Sequence, residues 1–243
     1  MIKDAVCLME FDLRDAGTMA VNDGRAYYFC SEECQKKFIR SPGHYLDKVL
    51  AERLSVGVMG SAGKGQDTHL AVLARDLGSA IARQGLTLIT GACPGFPYEC
   101  AQEARKEKGL SIGISPALSL DEHLHHYNSP ADAYDVMIYT GSGLMGREVT
   151  NIRSSDMVVI FGGRSGTLGE FAIAYDEGKL IGVLEGSGGI TSEIPGLVES
   201  FGKDTGAEII NEAEPKMLIE GLLKVYTERH FHHPSCFCEG GSI

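Results

Sequence analysis

The sequence predicts an α/β protein whose larger part is a parallel sheet wound on both faces by helices. Three observations carry this expectation. From Leu54 onward, short apolar runs rich in Val, Ile and Leu alternate with longer amphipathic stretches. The first two of those stretches stop at a glycine, the residue that most readily ends a helix. The apolar runs are also continuous rather than alternating, as strands covered on both faces should be.

Taken in order, LSVGVMG (54–60) is a buried strand and THLAVLARDLGSAIARQG (68–85) an amphipathic helix. LTLIT (86–90) is the second strand and FPYECAQEARKEKG (96–109) the second helix. SIGISP, DVMIYTG, DMVVIF and LIGVLEG follow as the third to sixth strands. AEIIN, Ala207 to Asn211, adds a seventh before a last helix, EPKMLIEGLLKVYTERH. This alternation predicts a Rossmann-like doubly wound domain over residues 49–228. Residues 1–48 differ: they hold short runs, two aromatic pairs and three cysteines, and read as a separate small module. Residues 229–243 form a His/Cys-rich tail.

Composition narrows the function. With 43% hydrophobic and 23% charged residues the chain is that of a soluble globular protein. No apolar run reaches the roughly 18 residues a membrane span needs. The start, MIKDAVCLMEFD, lacks the apolar core of a signal peptide, so a cytoplasmic address is expected. The net charge of −11 argues against a nucleic-acid partner, which calls for a basic face. A small anion can still be held by a local pocket of backbone amides and arginines. Seven cysteines, an odd number, disfavour a disulfide framework and favour metal or thiol roles.

Ligands of doubly wound sheets gather at the carboxyl ends of the strands. Four of those ends are glycine-rich or polar: GSAGKG with Gly60 and Ser61, TGACPG with Thr90, Gly91 and Cys93, TGSG, and GGRSGT. In the last, Gly162 and Gly163 permit conformations that aim successive N–H groups into one concavity. Thr167 offers a cap or a hydroxyl, and the following helix presents its positive end. Arg164, Ser165 and Gly166 complete the loop. This is a recipe for holding a phosphate.

The stretch GLMGREVTNIRSSDMVVIFGGRSGTLGE resembles the LOG (Lonely Guy) family of the Rossmann-like SLOG superfamily. Arg147, Ser155-Asp156, Gly162-Gly163, Gly166-Thr167 and Glu170 stand at that family's spacing, and the resemblance runs from about Ser55 to Tyr226. It implies a phosphoribohydrolase that splits nucleoside 5′-monophosphates into base and ribose 5-phosphate. Arg147 and Glu170 would be catalytic, the strand-end loops would bind the nucleotide, no cofactor would be needed there, and the chain would form a homodimer or a higher even oligomer. The chemistry is reasonable: a carboxylate stabilises oxocarbenium character and orients water, while an arginine fixes the nucleotide. The sequence departs from the family in Phe161, where the family has proline, and in Glu148, where it has a basic residue; Arg164 restores a charge within the loop. Molybdenum-cofactor carriers resemble this branch too, which gives an alternative expectation, a non-catalytic carrier or sensor of a phosphorylated pterin or signalling nucleotide. A third reading makes the sheet domain a dimer scaffold for a metal-handling protein.

The N-terminal stretch KDAVCLMEFD…GRAYYFCSEECQKKFIRSPGHYL resembles a YHS domain, a small treble-clef-like metal-binding module. Cys30 and Cys34 sit four apart at a helix start and Cys7 arrives from a preceding strand or turn. Three thiolates suit zinc first and copper(I) second. A fourth ligand is expected from His44 or from the tail, through His230, His232, His233, Cys236 or Cys238. HLHHY, His123 to Tyr127, is expected in a loop near the mouth of the ligand pocket.

Overall fold

A computed structural model describes residues 2–22, 25–51, 54–61, 68–228 and 230. The chain divides into two compact units, Met1–Arg53 and Leu54–Ile243.

In the first unit, β1 (Ile2–Lys3) pairs antiparallel with β2 (Glu10–Phe11), and β3 (Thr18–Asn22) with β4 (Arg25–Phe29). Two helices follow, α1 (Glu32–Arg40) and α2 (Pro42–Ala51). Ser31 starts α1 by accepting the Cys34 amide in its hydroxyl, and Glu32 and Glu33 in the first turn favour the dipole. The buried core is small, Ala5, Phe29, Cys34 and Phe38, with Tyr27 and Phe29 both tilted against Phe38. So small a core supplies little stability by itself.

The second unit contains β5 (Ser55–Gly60), α3 (Thr68–Arg83), β6 (Thr87–Thr90), α4 (Phe96–Lys106), β7 (Ser111–Ser115), α5 (Leu120–His125) and β8 (Val136–Tyr139). It continues through α6 (Gly143–Arg153), β9 (Met157–Phe161), α7 (Ser165–Asp176), β10 (Leu180–Leu184), α8 (Ile194–Phe201), β11 (Glu208–Glu212) and α9 (Pro215–Glu228). Among the described residues the sheet has seven strands in the order β11-β10-β9-β5-β6-β7-β8, every pair parallel. The chain winds outward from β5 to β8, returns through α6 to the other side of β5, and winds outward again to β11. The expected doubly wound sheet is therefore present, with its switch point between β5 and β9.

The strands at that point are fully apolar because helices cover both faces: Val56, Val58, Met59 and all of Met157–Phe161 are buried. Phe171, Ala174 and Tyr175 of α7 pack on β9 and β10 together with Ile152 of α6. Close strand approach explains one glycine here. A side-chain carbon at Gly60 would stand 2.6 Å from the carbonyl of Phe161, its register partner on β9.

The Ser155-Asp156 pair anchors the opposite end of the switch strands. The Asp156 carboxylate accepts the Ser55 amide at 2.7 Å and its hydroxyl at 2.9 Å, tying β5 to β9 at their first residues. The Ser155 hydroxyl donates to the Asn151 carbonyl at 2.9 Å.

Candidate functional site

At the carboxyl ends of β5 and β9 a cleft of about 460 Å³ opens between α6 and the head of α7. Gly60 and Ser61 after β5, and Gly91 and Cys93 after β6, form one wall. Arg147 and Glu148 of α6, with Arg164, Ser165, Gly166, Thr167 and Glu170 of the α7 segment, form the other.

Helix α6 presents Arg147, Glu148 and Asn151 on its buried side. The Arg147 guanidinium lies against Gly91, where any added side-chain carbon would overlap it. Its Nη2 donates to Cys93 Sγ at 3.5 Å, and its Nη1 stands 3.6 Å from Glu170 Oε1. Arg147 is only 8% exposed and Glu170 7%. Even so, Arg147 Nε and Nη1 have no hydrogen-bond partner. A buried guanidinium with unfilled donors normally costs stability unless something else satisfies it.

Burial above all, opposed by Arg147 and reinforced by Glu148, pushes the Glu170 carboxyl up to about 7. Burial also raises Glu148, again against Arg147. Near neutral pH Glu170 therefore exchanges its proton readily, as a general acid or base must.

Helix α7 begins at Ser165 with Arg164 as its cap residue and no side-chain hydrogen bond to its first turn. The amides of Ser165, Gly166 and Thr167 precede any possible i−4 carbonyl of the helix. They head a twelve-residue helix at the cleft wall. Uncapped amides and the dipole together favour an anion there.

In the N-terminal unit, Asp4, Cys7, Cys30 and Cys34 place one ligand atom each within 4.8 Å of one another. Cys7 Sγ is 3.6 Å from Cys30 Sγ, which is 3.9 Å from Cys34 Sγ. Two thiolates at about 2.3 Å on a tetrahedral ion lie roughly 3.8 Å apart, so the donor set fits zinc-type coordination. Asp4 is fully buried, and its Oδ1 accepts the Val6 and Cys7 amides while Oδ2 accepts the Cys30 amide at 2.8 Å. That leaves Oδ2 one lone pair to offer an ion.

Residues 53–219 match a family model described as the SLOG cluster4 family. The chain belongs to that family. An uncharacterized protein of Archaeoglobus fulgidus is 31% identical over 132 residues, 54% of this chain and 80% of that one. Among solved structures, the chain is similar to the molybdenum cofactor binding protein from the phototrophic bacterium Rippkaea orientalis, at 29% identity and a TM-score of 0.58 over 71% of this chain and 97% of that one. It is also similar to the molybdenum cofactor carrier protein of Chlamydomonas reinhardtii, at 27% identity and a TM-score of 0.57 over 70% and 99%.

Within this SLOG domain, Gly60, Ser61, Gly91, Arg147, Arg164, Ser165, Gly166, Thr167 and Glu170 all reach the cleft. Three expected binders, Gly162, Gly163 and Thr90, are not among the residues that line the cleft. Gly162 donates its amide to Ser187 Oγ at 2.9 Å, and the Gly163 carbonyl accepts the Ile190 amide at 3.2 Å. Their φ angles of +59° and +90° bend the chain over the Ser187–Gly189 loop, and Gly163 lies on the Thr167 side chain. Thr90 is fully buried and spends its hydroxyl on Tyr134 and on the Ala92 amide. Thr167 is a first-turn residue rather than the cap.

His123 to His125 fall on α5, not in a loop, because Ser119 caps that helix through the Glu122 amide. His123 is fully buried between Ser115 Oγ and the Pro130 carbonyl, so it packs rather than binds. His230 lies against Tyr226 and 3.6 Å from Glu208. His44 is exposed beside Tyr45. The other tail candidates, His232, His233, Cys236 and Cys238, lie outside the described residues. Two residues of these clusters, Asp4 and Glu148, are not singled out as site residues by the sequence. Asp4 stands three before Cys7, a spacing that alone does not mark a ligand; Glu148 was noted only as a departure.

Proposed function

We propose that the cleft binds a small phosphorylated ligand of the pterin or nucleotide class and hands it on unchanged. The observation that carries this is Arg147, nine-tenths buried with two unbonded donors, beside the uncapped head of α7. A phosphoryl group on the Gly166 and Thr167 amides would satisfy both elements, and the heterocycle would extend along the Gly91 and Cys93 wall. The two solved relatives, a binding protein and a carrier for molybdenum cofactor, support the same ligand chemistry.

A second reading, hydrolysis of nucleoside 5′-monophosphates, draws support from the Arg147–Glu170 pair. Glu170 at the sugar would orient water and stabilise positive charge at the anomeric carbon, with Arg147 holding the nucleotide. The first unit, resembling a YHS module, would hold zinc or copper(I) on Cys7, Cys30 and Cys34, with Asp4 as the local fourth donor. That ion would supply stability to a unit with little core.

Mass spectrometry of small molecules released from purified protein, with incubation against a panel of nucleoside monophosphates, separates these readings. Carriage predicts a bound phosphorylated heterocycle and no free base. Free base that disappears in Glu170→Gln establishes hydrolysis, and neither ligand nor base removes both.

A further inference from the structure

Glu148 follows Arg147 on α6 and lays its carboxylate across the first turns of α7. A side-chain carbon at Gly169 would stand 3.1 Å from Glu148 Oε2, and one at Gly166 3.8 Å from Oε1. The residue is 6% exposed and lines the cleft. Glycine at 169 eases this approach, since a side-chain carbon there would be crowded, whereas one at 166 would make ordinary contact. Its negative charge therefore lies along the flank of the first turns of α7, close to the helix's positive end and to any anion held there. Arg147, with Nε and Nη1 unbonded, lines the same cleft and marks it independently as a place for an anionic group.

We propose that Glu148 is an internal competitor of the ligand's anionic group: binding requires Glu148 to take up a proton, so the cleft loads in mild acid and releases as pH rises. This rests on the phosphorylated-ligand reading above. The charged groups facing Glu148 are Arg147 beside it on α6 and Glu170 on α7, with Arg164 on the cleft wall at the α7 cap. The two arginines favour both carboxylate and ligand anion, and so do not decide between them. Glu170 disfavours either. Burial holds the Glu148 carboxyl above its usual range, which brings its protonation closer to neutral pH. Two like charges beside one helix head repel each other, whereas a protonated Glu148 donates to a phosphoryl oxygen rather than repelling it.

The test uses sulfate, which keeps its charge between pH 5 and 9, titrated into the full-length protein while the amide resonances of Gly166 and Thr167 are followed. One coupled proton makes wild-type affinity fall by up to about tenfold per pH unit where Glu148 ionises. Glu148→Gln should bind several-fold more tightly at pH 8 and show a clearly flatter pH dependence. Glu170→Gln should keep a fall of wild-type direction. An affinity independent of pH in wild type overturns the proposal without any variant. So does an undiminished slope in Glu148→Gln, or a slope lost only in Glu170→Gln. If sulfate shifts neither amide in any variant at any pH, the phosphate-cleft reading itself fails; binding with the wrong pH dependence removes only the role of Glu148.

Discussion

Glu170 keeps its proton more tightly in the folded protein than in the unfolded chain, where a carboxyl titrates near its ordinary 4.5. Its contribution to stability is therefore fully present below about pH 4.5 and is lost as pH rises through about 7. Unfolding by denaturant should show wild type losing roughly 2 to 3 kcal/mol from this group between pH 5 and pH 8. Glu170→Gln should remove that part of the pH dependence, and an unchanged profile would show that the carboxyl is not held as described. Gly91 permits a second test at this scale. Gly91→Ala places a methyl into the Arg147 guanidinium, so it should cost about 1–3 kcal/mol by overpacking. It should also weaken binding of the phosphorylated ligand, which calorimetry reads directly. Why Gly91 is crowded is not legible in TGACPG, because the guanidinium that lies against it belongs to a residue 56 positions later in the chain, on α6.

The elements show what local pattern conveys and what it leaves out. Strands β5, β9 and β10 were readable because burial on both faces leaves apolar runs with little polar interruption. Helices α5 and α8 were not: each has eight residues or fewer, too short for a helical period to stand out. The β9–α7 turn reads in the sequence as an anion site, and we propose that its working part is the helix head, from Arg164 to Thr167. Gly162 and Gly163 support it through Ser187 and Ile190, partners that arrive some 25 residues later. A glycine pair looks the same in sequence whether its amides face a ligand or a neighbouring loop. Asp4 was missed for a similar reason, since its significance comes from Cys30 being folded back onto it. Asp4→Asn would put an amide N–H against one of the backbone amides that Asp4 now accepts. It should lower zinc affinity by about 10–100-fold, measured by competition with a chromophoric chelator. Full metal removal should unfold the first unit while leaving the helical signal of the sheet domain in place. Equal affinity in Asp4→Asn would reduce Asp4 to a packing residue.

Across the whole molecule, the two units carry separate clusters, Asp4 with three cysteines in one and the cleft around Arg147 and Glu170 in the other. No helix among the described residues is long and apolar enough to cross a membrane. We propose, from resemblance, that the SLOG domain self-associates. The edge strand β8 exposes Val136 and Ile138, and Leu118 and Met145 are 76% and 68% exposed. Light scattering should return twice the 26.1 kDa chain mass or an even multiple, and Met145→Glu should shift it toward one; a monomer at micromolar concentration would refute this. The central claim remains that the head of α7 and Arg147 hold a phosphoryl group. A crystal structure of the protein with its copurified or added phosphorylated ligand tests it most directly. The account predicts phosphoryl oxygens on the Gly166 and Thr167 amides with Arg147 reaching the same group; a ligand bound elsewhere, with Glu148 still lying over the helix head, would contradict it.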